Sequence, residues 1–209
     1  MRCQFCHNPD TWDFSGGQER EAAELVQEIC RYKMYFGDKG GVTVSGGEPL
    51  LQPAFVGELF RLLHGEGIHT ALDTSGVWAD WDGACQVLEH TDLILGDLKF
   101  ATPEEYRLHC KADMEKPLTF YRLAEERGIP LWVRHVVVPG LNDSLEDMGK
   151  IKVLAESFSN LEKIEWLPFH NLCVEKYQSL GIPFPLAGTD NMDEEALQRL
   201  VEQLNAEGA

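Results

Sequence analysis

Five short, apolar, β-rich runs recur along the chain at βα-unit spacing, and this recurrence narrows the possible folds more than any other feature. The runs are Val42–Ser45, Ile68–Asp73, Leu93–Leu98, Leu131–Val138 and Lys163–Leu167. Their starts lie about 25 to 38 residues apart, room for a strand, a covering helix and the return that parallel pairing requires. Helical spacing fills the gaps: Glu19–Phe36, Phe55–His64, Gly83–His90, Pro103–Cys110, Leu118–Arg127 and Leu145–Phe158. A last helix, Asp193–Asn205, carries Leu197, Leu200, Val201 and Leu204 on one face and should pack back on the body. Leu180–Asn191, with two prolines and two glycines, reads as a surface loop. Crossovers of one hand leave a doubly wound sheet or a barrel. Five strands are too few for a closed eight-stranded barrel, so the expectation is an α/β open or partial barrel, one domain over residues 1–209.

Charge and cysteine usage remove several function classes. With 18 Lys and Arg against 35 Asp and Glu, the net charge of −17 repels a phosphate backbone, which excludes a general nucleic-acid binder. No apolar run approaches the ~18 residues of a membrane span. The best candidate, Leu131–Val138, is interrupted by Arg134 and His135. No basic, apolar leader is read at the start, so a cytoplasmic location is expected. Of six cysteines, Cys3 and Cys6 form a C-x-x-C, while Cys30, Cys85, Cys110 and Cys173 stand singly. The scattered four read as small buried hydrophobes in a reducing compartment rather than a disulfide framework.

In parallel α/β proteins functional groups gather at the C-terminal ends of the strands. Here those ends carry Ser45-Gly46-Gly47-Glu48-Pro49, Asp73-Thr74, Asp97-Leu98-Lys99, Arg134 with Val136, and His170. Strand alternation puts Asp97 and Lys99 on one face of their strand, and Arg134 and Val136 on one face of theirs. Three carboxylates and three basic groups on one rim suit a zwitterionic ligand with hydroxyls; a network of ion pairs tying loops together is the plainer alternative. The Gly46-Gly47 pair allows close backbone approach to a ligand, with carbonyls free to accept from an ammonium, although a tight turn explains it equally well. Neither G-x-x-x-x-G-K-[ST] nor G-x-G-x-x-G is present. Cys3-Gln4-Phe5-Cys6-His7 matches the c-type haem signature, but that needs export; structural zinc needs a second ligand pair that is missing. A redox dithiol and an iron–sulfur site both remain open.

Two stretches together, Cys3-x-x-Cys6-His7-Asn8-Pro9-Asp10-Thr11-Trp12 and Val42-Thr43-Val44-Ser45-Gly46-Gly47-Glu48-Pro49-Leu50, resemble the radical S-adenosylmethionine superfamily. More narrowly, the chain is similar to its glycyl-radical activases, those acting on pyruvate formate-lyase. Glu66 to Thr74, Thr91 to Lys99, Trp132 to Gly140 and Glu162 to His170 carry the resemblance across nearly the whole chain. It implies a partial, six-stranded (β/α) TIM-like barrel with a [4Fe–4S] cluster at its mouth, bound by three cysteines in C-x-x-x-C-x-x-C. The fourth iron binds the amino and carboxylate groups of S-adenosylmethionine. An electron from a flavodoxin or ferredoxin-type reductant then cleaves the sulfonium to a 5′-deoxyadenosyl radical, which takes a hydrogen from a glycine of the partner enzyme. By the same resemblance Cys3 and Cys6 are cluster ligands, Phe5 to His7 lie against S-adenosylmethionine, and Gly46, Gly47 and Glu48 receive its amino group. Asp97, Leu98, Lys99, Arg134, Val136 and His170 line the ligand, with Lys99 and His170 joining the two cysteines in the catalytic set. A monovalent cation is implied near Asp73, Thr74 and Asp97; direct pairing of those carboxylates with Lys99 and Arg134 is the alternative.

The sequence departs from the pattern at its front. The family has a cysteine four positions before Cys3, where this chain has only Met1 and Arg2, and the first barrel strand has no counterpart. The expectation is an internal methionine taken as the start, an upstream in-frame cysteine codon, and weak cluster binding by these 209 residues. The run from Trp12 to the Gly-Gly-Glu segment holds only Cys30, so the ferredoxin-like insert of other glycyl-radical activases is absent. Two other classes stay open at this point: a binding module or inactive fragment lacking the cluster, and a radical enzyme acting on a small molecule.

Overall fold

The computed structural model describes residues 1–37 and 40–206. Five strands form one parallel sheet: β1 Gly41–Val44, β2 His69–Thr74, β3 Leu93–Asp97, β4 Leu131–Val137 and β5 Leu161–Pro168. Their spatial order is their order in sequence, each strand pairing only with its neighbours in the chain. A doubly wound sheet would reverse direction partway, whereas sequential order with helices between parallel strands is the curl of a barrel left open. The α/β partial-barrel expectation is met in this five-stranded form, and each strand lies within two residues of its predicted limits.

The helices are α1 Ala22–Cys30, α2 Lys33–Phe36, α3 Pro53–Gly65, α4 Trp81–Val87, α5 Pro103–Glu105, α6 Glu115–Glu126, α7 Leu145–Glu156, α8 Val174–Ser179 and α9 Glu194–Ala206. Two predicted helices come out differently. Glu19–Phe36 splits, because residues 31 and 32 close with i→i−3 bonds (Arg31 N to Glu28 O, Tyr32 N to Ile29 O) and the helix restarts as α2. Pro103–Cys110 begins as α5, capped by the Thr102 hydroxyl, and widens into a π-helical turn over Tyr106–Cys110 that stops at left-handed Lys111. Lys111 N closes the turn on Tyr106 O, and its last carbonyls, those of His109 and Cys110, accept from Gln4 N and Arg2 N, both at 2.9 Å. A partner over a hundred residues away thus completes the turn and seats the N-terminal loop.

Residues on the outer face of the sheet pack against α3, α4, α6 and α7, through Phe60, Leu63, Phe120, Ala124, Ile151 and Ala155 among others. A second cluster joins Cys3 and Phe5 to Phe100, Tyr106, Phe169, Tyr177, Leu197 and Leu204, which draws the N-terminal segment, α8 and α9 together. Cys110 and Cys173 are buried, as expected of small hydrophobes, whereas Cys30 and Cys85 are only half-buried; all six cysteines are free. No helix among the described residues is long and apolar enough to cross a membrane.

Candidate functional site

The strand ends and the N-terminal loop enclose a cavity of about 550 Å³. Cys3, Phe5, Cys6 and His7 form one wall, the Ser45–Glu48 segment after β1 a second, and Asp73, Thr74, Asp97, Lys99, Arg134 and Val136 the floor. Alternation along β3 and β4 brings the floor residues to this side: Asp97 and Lys99 share parity, as do Arg134 and Val136. A groove of similar volume between Trp81, Pro103 and the α6 residues Leu118 and Arg122 lies outside the barrel and has no thiol, histidine or Gly-rich turn.

Charge in the cavity comes in pairs. Lys99 Nζ lies 2.6 Å from Asp97 Oδ2, and Arg134 Nη1 lies 2.7 Å from Asp73 Oδ2. Burial pulls the Lys99 ammonium toward its neutral form, but Asp97 and Cys3 outweigh it and hold Lys99 charged well beyond neutral pH. Arg134 behaves likewise, with burial opposed by Asp73 and Asp97. Among the described residues Glu48 has no cationic partner. Its carboxylate accepts from Thr74 Oγ1 at 2.5 Å, Ser75 N at 2.9 Å, Leu50 N at 3.1 Å and the Ser75 hydroxyl. Burial still raises its pKa against those four bonds. Glu48 therefore knots the end of β2 to the turn after β1 instead of facing a ligand as a free charge.

That turn depends on both its glycines. Gly46 sits at φ +139°, in the region L side chains avoid, and a Cβ there would point into open space. A Cβ on Gly47 would lie 2.8 Å from Thr11 Oγ1, so only glycine lets the strand end and the cysteine loop meet. On the loop, Cys6 N donates to Cys3 O at 3.2 Å and the Tyr177 hydroxyl donates to Cys6 O at 3.1 Å. Phe5 tilts against Phe100 with ring centroids 6.1 Å apart. The Cys110 thiol hydrogen-bonds that of Cys3, which with Lys99 nearby lowers the Cys3 pKa against the opposing effect of burial. Burial pushes the Cys6 thiol up.

Two sequence-predicted residues lie outside the cavity wall. Leu98 is fully buried on the outer face of β3, because the alternation that sends Asp97 and Lys99 inward sends it outward. His170 stands one ring behind the wall: its imidazole stacks on His7 at 4.2 Å, and its carbonyl accepts from His7 Nε2 at 2.9 Å. It follows the end of β5, where strand parity no longer aims a side chain. In the other direction, Thr11, Ser75 and Lys111 line the cavity without having been singled out as ligand-binding. Ser75 continues the Asp73-Thr74 strand end, a readable signal; Lys111 is brought there by the π-helical turn, which leaves none.

Paired charges of both signs, a Gly-Gly turn at the rim, and aromatic rings on one wall fit a zwitterion carrying a planar base. For a metal cluster the chain offers the Cys3 and Cys6 thiols at the cavity edge. Among the described residues no three His, Cys, Asp or Glu side chains converge to hold a metal ion, so these two are the ligands this stretch supplies.

Comparisons with known proteins agree with this chemistry. A profile of the Radical SAM superfamily matches residues 1–150. Pyruvate formate-lyase-activating enzyme of Clostridium pasteurianum is 39% identical, over 98% of this chain and 85% of the relative. The enzyme of that name from Staphylococcus aureus is 42% identical over 100% of this chain and 86% of its own length. Among solved structures, a domain of pyruvate-formate lyase-activating enzyme from Bacteroides vulgatus superposes with a TM-score of 0.62 at 25% identity, covering 80% of this chain and 94% of that one. Streptococcus suis SuiB bound to precursor peptide SuiA has a TM-score of 0.71 at 14% identity, over 98% of this chain and 42% of that one, a likeness of fold alone.

Proposed function

Because the chain belongs to the radical S-adenosylmethionine superfamily and, within it, to the pyruvate formate-lyase-activating enzymes, we propose that it binds S-adenosylmethionine in the strand-end cavity and activates pyruvate formate-lyase. The observation that carries this reading is the convergence of the Cys3 and Cys6 thiols, the Gly46-Gly47 turn and the two half-buried ion pairs on one cavity. The family's [4Fe–4S] cluster and S-adenosylmethionine supply, when bound, one-electron cleavage of a sulfonium and the hydrogen abstraction from glycine that follows. Cys3 and Cys6 would supply two of the thiolates that hold the cluster. The Gly46 and Gly47 carbonyls accept from the ligand ammonium, Arg134 and Lys99 meet its carboxylate and hydroxyls, and Phe5 and His7 flank its base. His170, stacked on His7, orients that ring rather than touching the ligand.

Asp73 and Asp97 are each already paired with a cation, and the Thr74 hydroxyl is given to Glu48. That arrangement favours the ion pairs over a bound monovalent cation. A flavodoxin or ferredoxin-type protein is the proposed electron donor, and the reducing cytoplasm, which keeps six thiols free, the proposed location. The test is anaerobic reconstitution with iron, sulfide and thiol, followed by assays for S-adenosylmethionine cleavage and for a glycyl radical on added pyruvate formate-lyase. Both signals are expected where the added thiol completes the ligand set that Cys3 and Cys6 begin, and only weak ones without it. Cleavage without a glycyl radical would overturn the partner, and no binding of S-adenosylmethionine would overturn the reading altogether.

A further inference from the structure

We propose that Tyr106, Tyr121 and His135 are positioning residues that hold the Asp97-Leu98-Lys99 tip of β3 in the geometry S-adenosylmethionine requires. None of the three lines the cavity, and each is almost wholly buried. Their polar atoms nevertheless close successive backbone groups of one tripeptide. The Tyr121 hydroxyl donates to Asp97 O at 3.3 Å, His135 Nδ1 donates to Leu98 O at 2.7 Å, and Lys99 N donates to the Tyr106 hydroxyl at 3.1 Å. Pairing with β4 reaches Asp97 opposite Arg134 and extends one bond further, from Leu98 N to Arg134 O at 3.1 Å. The Leu98 carbonyl and the Lys99 amide, past that bond, are taken up by side chains.

The hydrogen-bond logic around His135 leaves one arrangement. Leu98 O can only accept, so Nδ1 carries the proton and Nε2 accepts from Asn142 Nδ2 at 3.1 Å. The Asn142 Oδ1 takes Val138 N at 2.6 Å, and its Nδ2 also donates to Val136 O at 3.0 Å. A neutral ring with both nitrogens engaged is thereby locked between the ends of β3 and β4. Tyr121 adds a cross-tie, since the same hydroxyl reaches Thr74 O at 3.1 Å on β2. Plain filling of space would be served as well by phenylalanine at all three positions. The polar atoms are what set the tip, and with it Asp97 and Lys99 on the cavity side.

The inference rests on S-adenosylmethionine being the ligand, and the test separates the two claims. His135→Phe keeps the ring and removes the donor; His135→Asn keeps a donor where Nδ1 stands and leaves a void. Titrated with S-adenosylmethionine after cluster reconstitution, His135→Phe is expected to bind about tenfold more weakly, and His135→Asn within about twofold of the parent. Thermal midpoints should rank the other way, with the void-bearing Asn variant lower. Parental affinity in His135→Phe, or affinities that merely follow the midpoints, would overturn the proposal. Should His135→Phe fail to fold, Tyr121→Phe decides by removing one oxygen: weaker binding supports the proposal and parental binding overturns it. If the parent protein binds no S-adenosylmethionine, the functional reading fails. Faster amide exchange at Lys99 in Tyr106→Phe then still supports the held tip, and unchanged exchange refutes it.

Discussion

The two faces of β4 are built on different principles. Leu131, Val133, His135 and Val137 point outward and are almost completely buried, while Trp132, Arg134 and Val136, one residue out of phase, are half-buried, the last two lining the cavity. β3 repeats the division, with Ile94 and Leu98 outward and Asp97 inward. The outward face holds by apolar area, at roughly 25 cal/mol per Å² removed from water. The inward face holds by ion pairs, whose attraction is largely offset by the desolvation of both partners. A surface of that kind adds little to folding and suits the binding of a charged ligand. His135 is the polar exception on the outer face of β4, and it leaves no hydrogen-bonding atom open.

The contrast should be plainest when one residue is removed from each face. Phe120→Ala empties a fully buried site in the outer core. It should lower unfolding free energy by about 3–5 kcal/mol in urea titration, while the folded fraction binds S-adenosylmethionine at parental affinity. Lys99→Met takes one partner from the Asp97 pair. Binding should fall on the order of 30- to 100-fold by calorimetry, with a smaller change in stability than Phe120→Ala causes. If Lys99→Met cost more stability than Phe120→Ala, the inward face would be structural after all.

How much of this was legible in the sequence follows from the same two faces. Period-two alternation needs only local geometry, so the parity of Asp97 with Lys99, and of Arg134 with Val136, could be read directly. The same rule would have sent Leu98 outward; the family resemblance put it at the ligand instead. The α/β class followed from strand spacing, and the sequential strand order excluded double winding only once the pairing was visible. The π-helical turn over Tyr106–Cys110 was not readable, because its carbonyls are completed by Arg2 and Gln4. Nor were the ties from Tyr106, Tyr121 and His135 to one tripeptide, since each is an unremarkable residue until packing sets its partner.

Acidity gives a smaller effect confined to the outer face. Burial holds His135 neutral and lowers its pKa from 6.5 to about 4, with Lys99 adding to the burial effect, and the Leu98 carbonyl, Asp97 and Asp147 opposing it. The unfolded chain therefore binds this proton first. The contribution of a neutral His135 is fully present above pH 6.5 and is lost progressively as pH falls toward 4, by up to about 1.4 kcal/mol per pH unit. Denaturant titrations from pH 7 to 4.5 should show the parent losing stability more steeply than His135→Phe, which has no ring to titrate. Parallel slopes would mean that His135 takes up its proton as readily folded as unfolded, which would contradict its burial and the bond to Asn142.

The smallest expected effect lies where the two faces give way to the loops. Gly46 and Gly47 are adjacent, yet they are glycine for different reasons: Gly46 for its backbone angle, Gly47 for the approach of Thr11. Gly46→Ala should cost about 1 kcal/mol of strain that no second change elsewhere relieves. Gly47→Ala should cost a similar amount by pushing Thr11, and with it the loop bearing Cys6 and His7. Removing the obstructing side chain with Thr11→Gly should recover part of that loss, so a double-mutant cycle should give a coupling of roughly 1 kcal/mol for Gly47 with Thr11 and close to none for Gly46 with Thr11. Affinity for S-adenosylmethionine should follow the Gly47 cycle, because it is the cysteine loop that moves. A cycle without coupling would show that the loop and the Gly-Gly turn are placed independently, and that the cavity wall is assembled by the packing of Phe5 and Tyr177 alone.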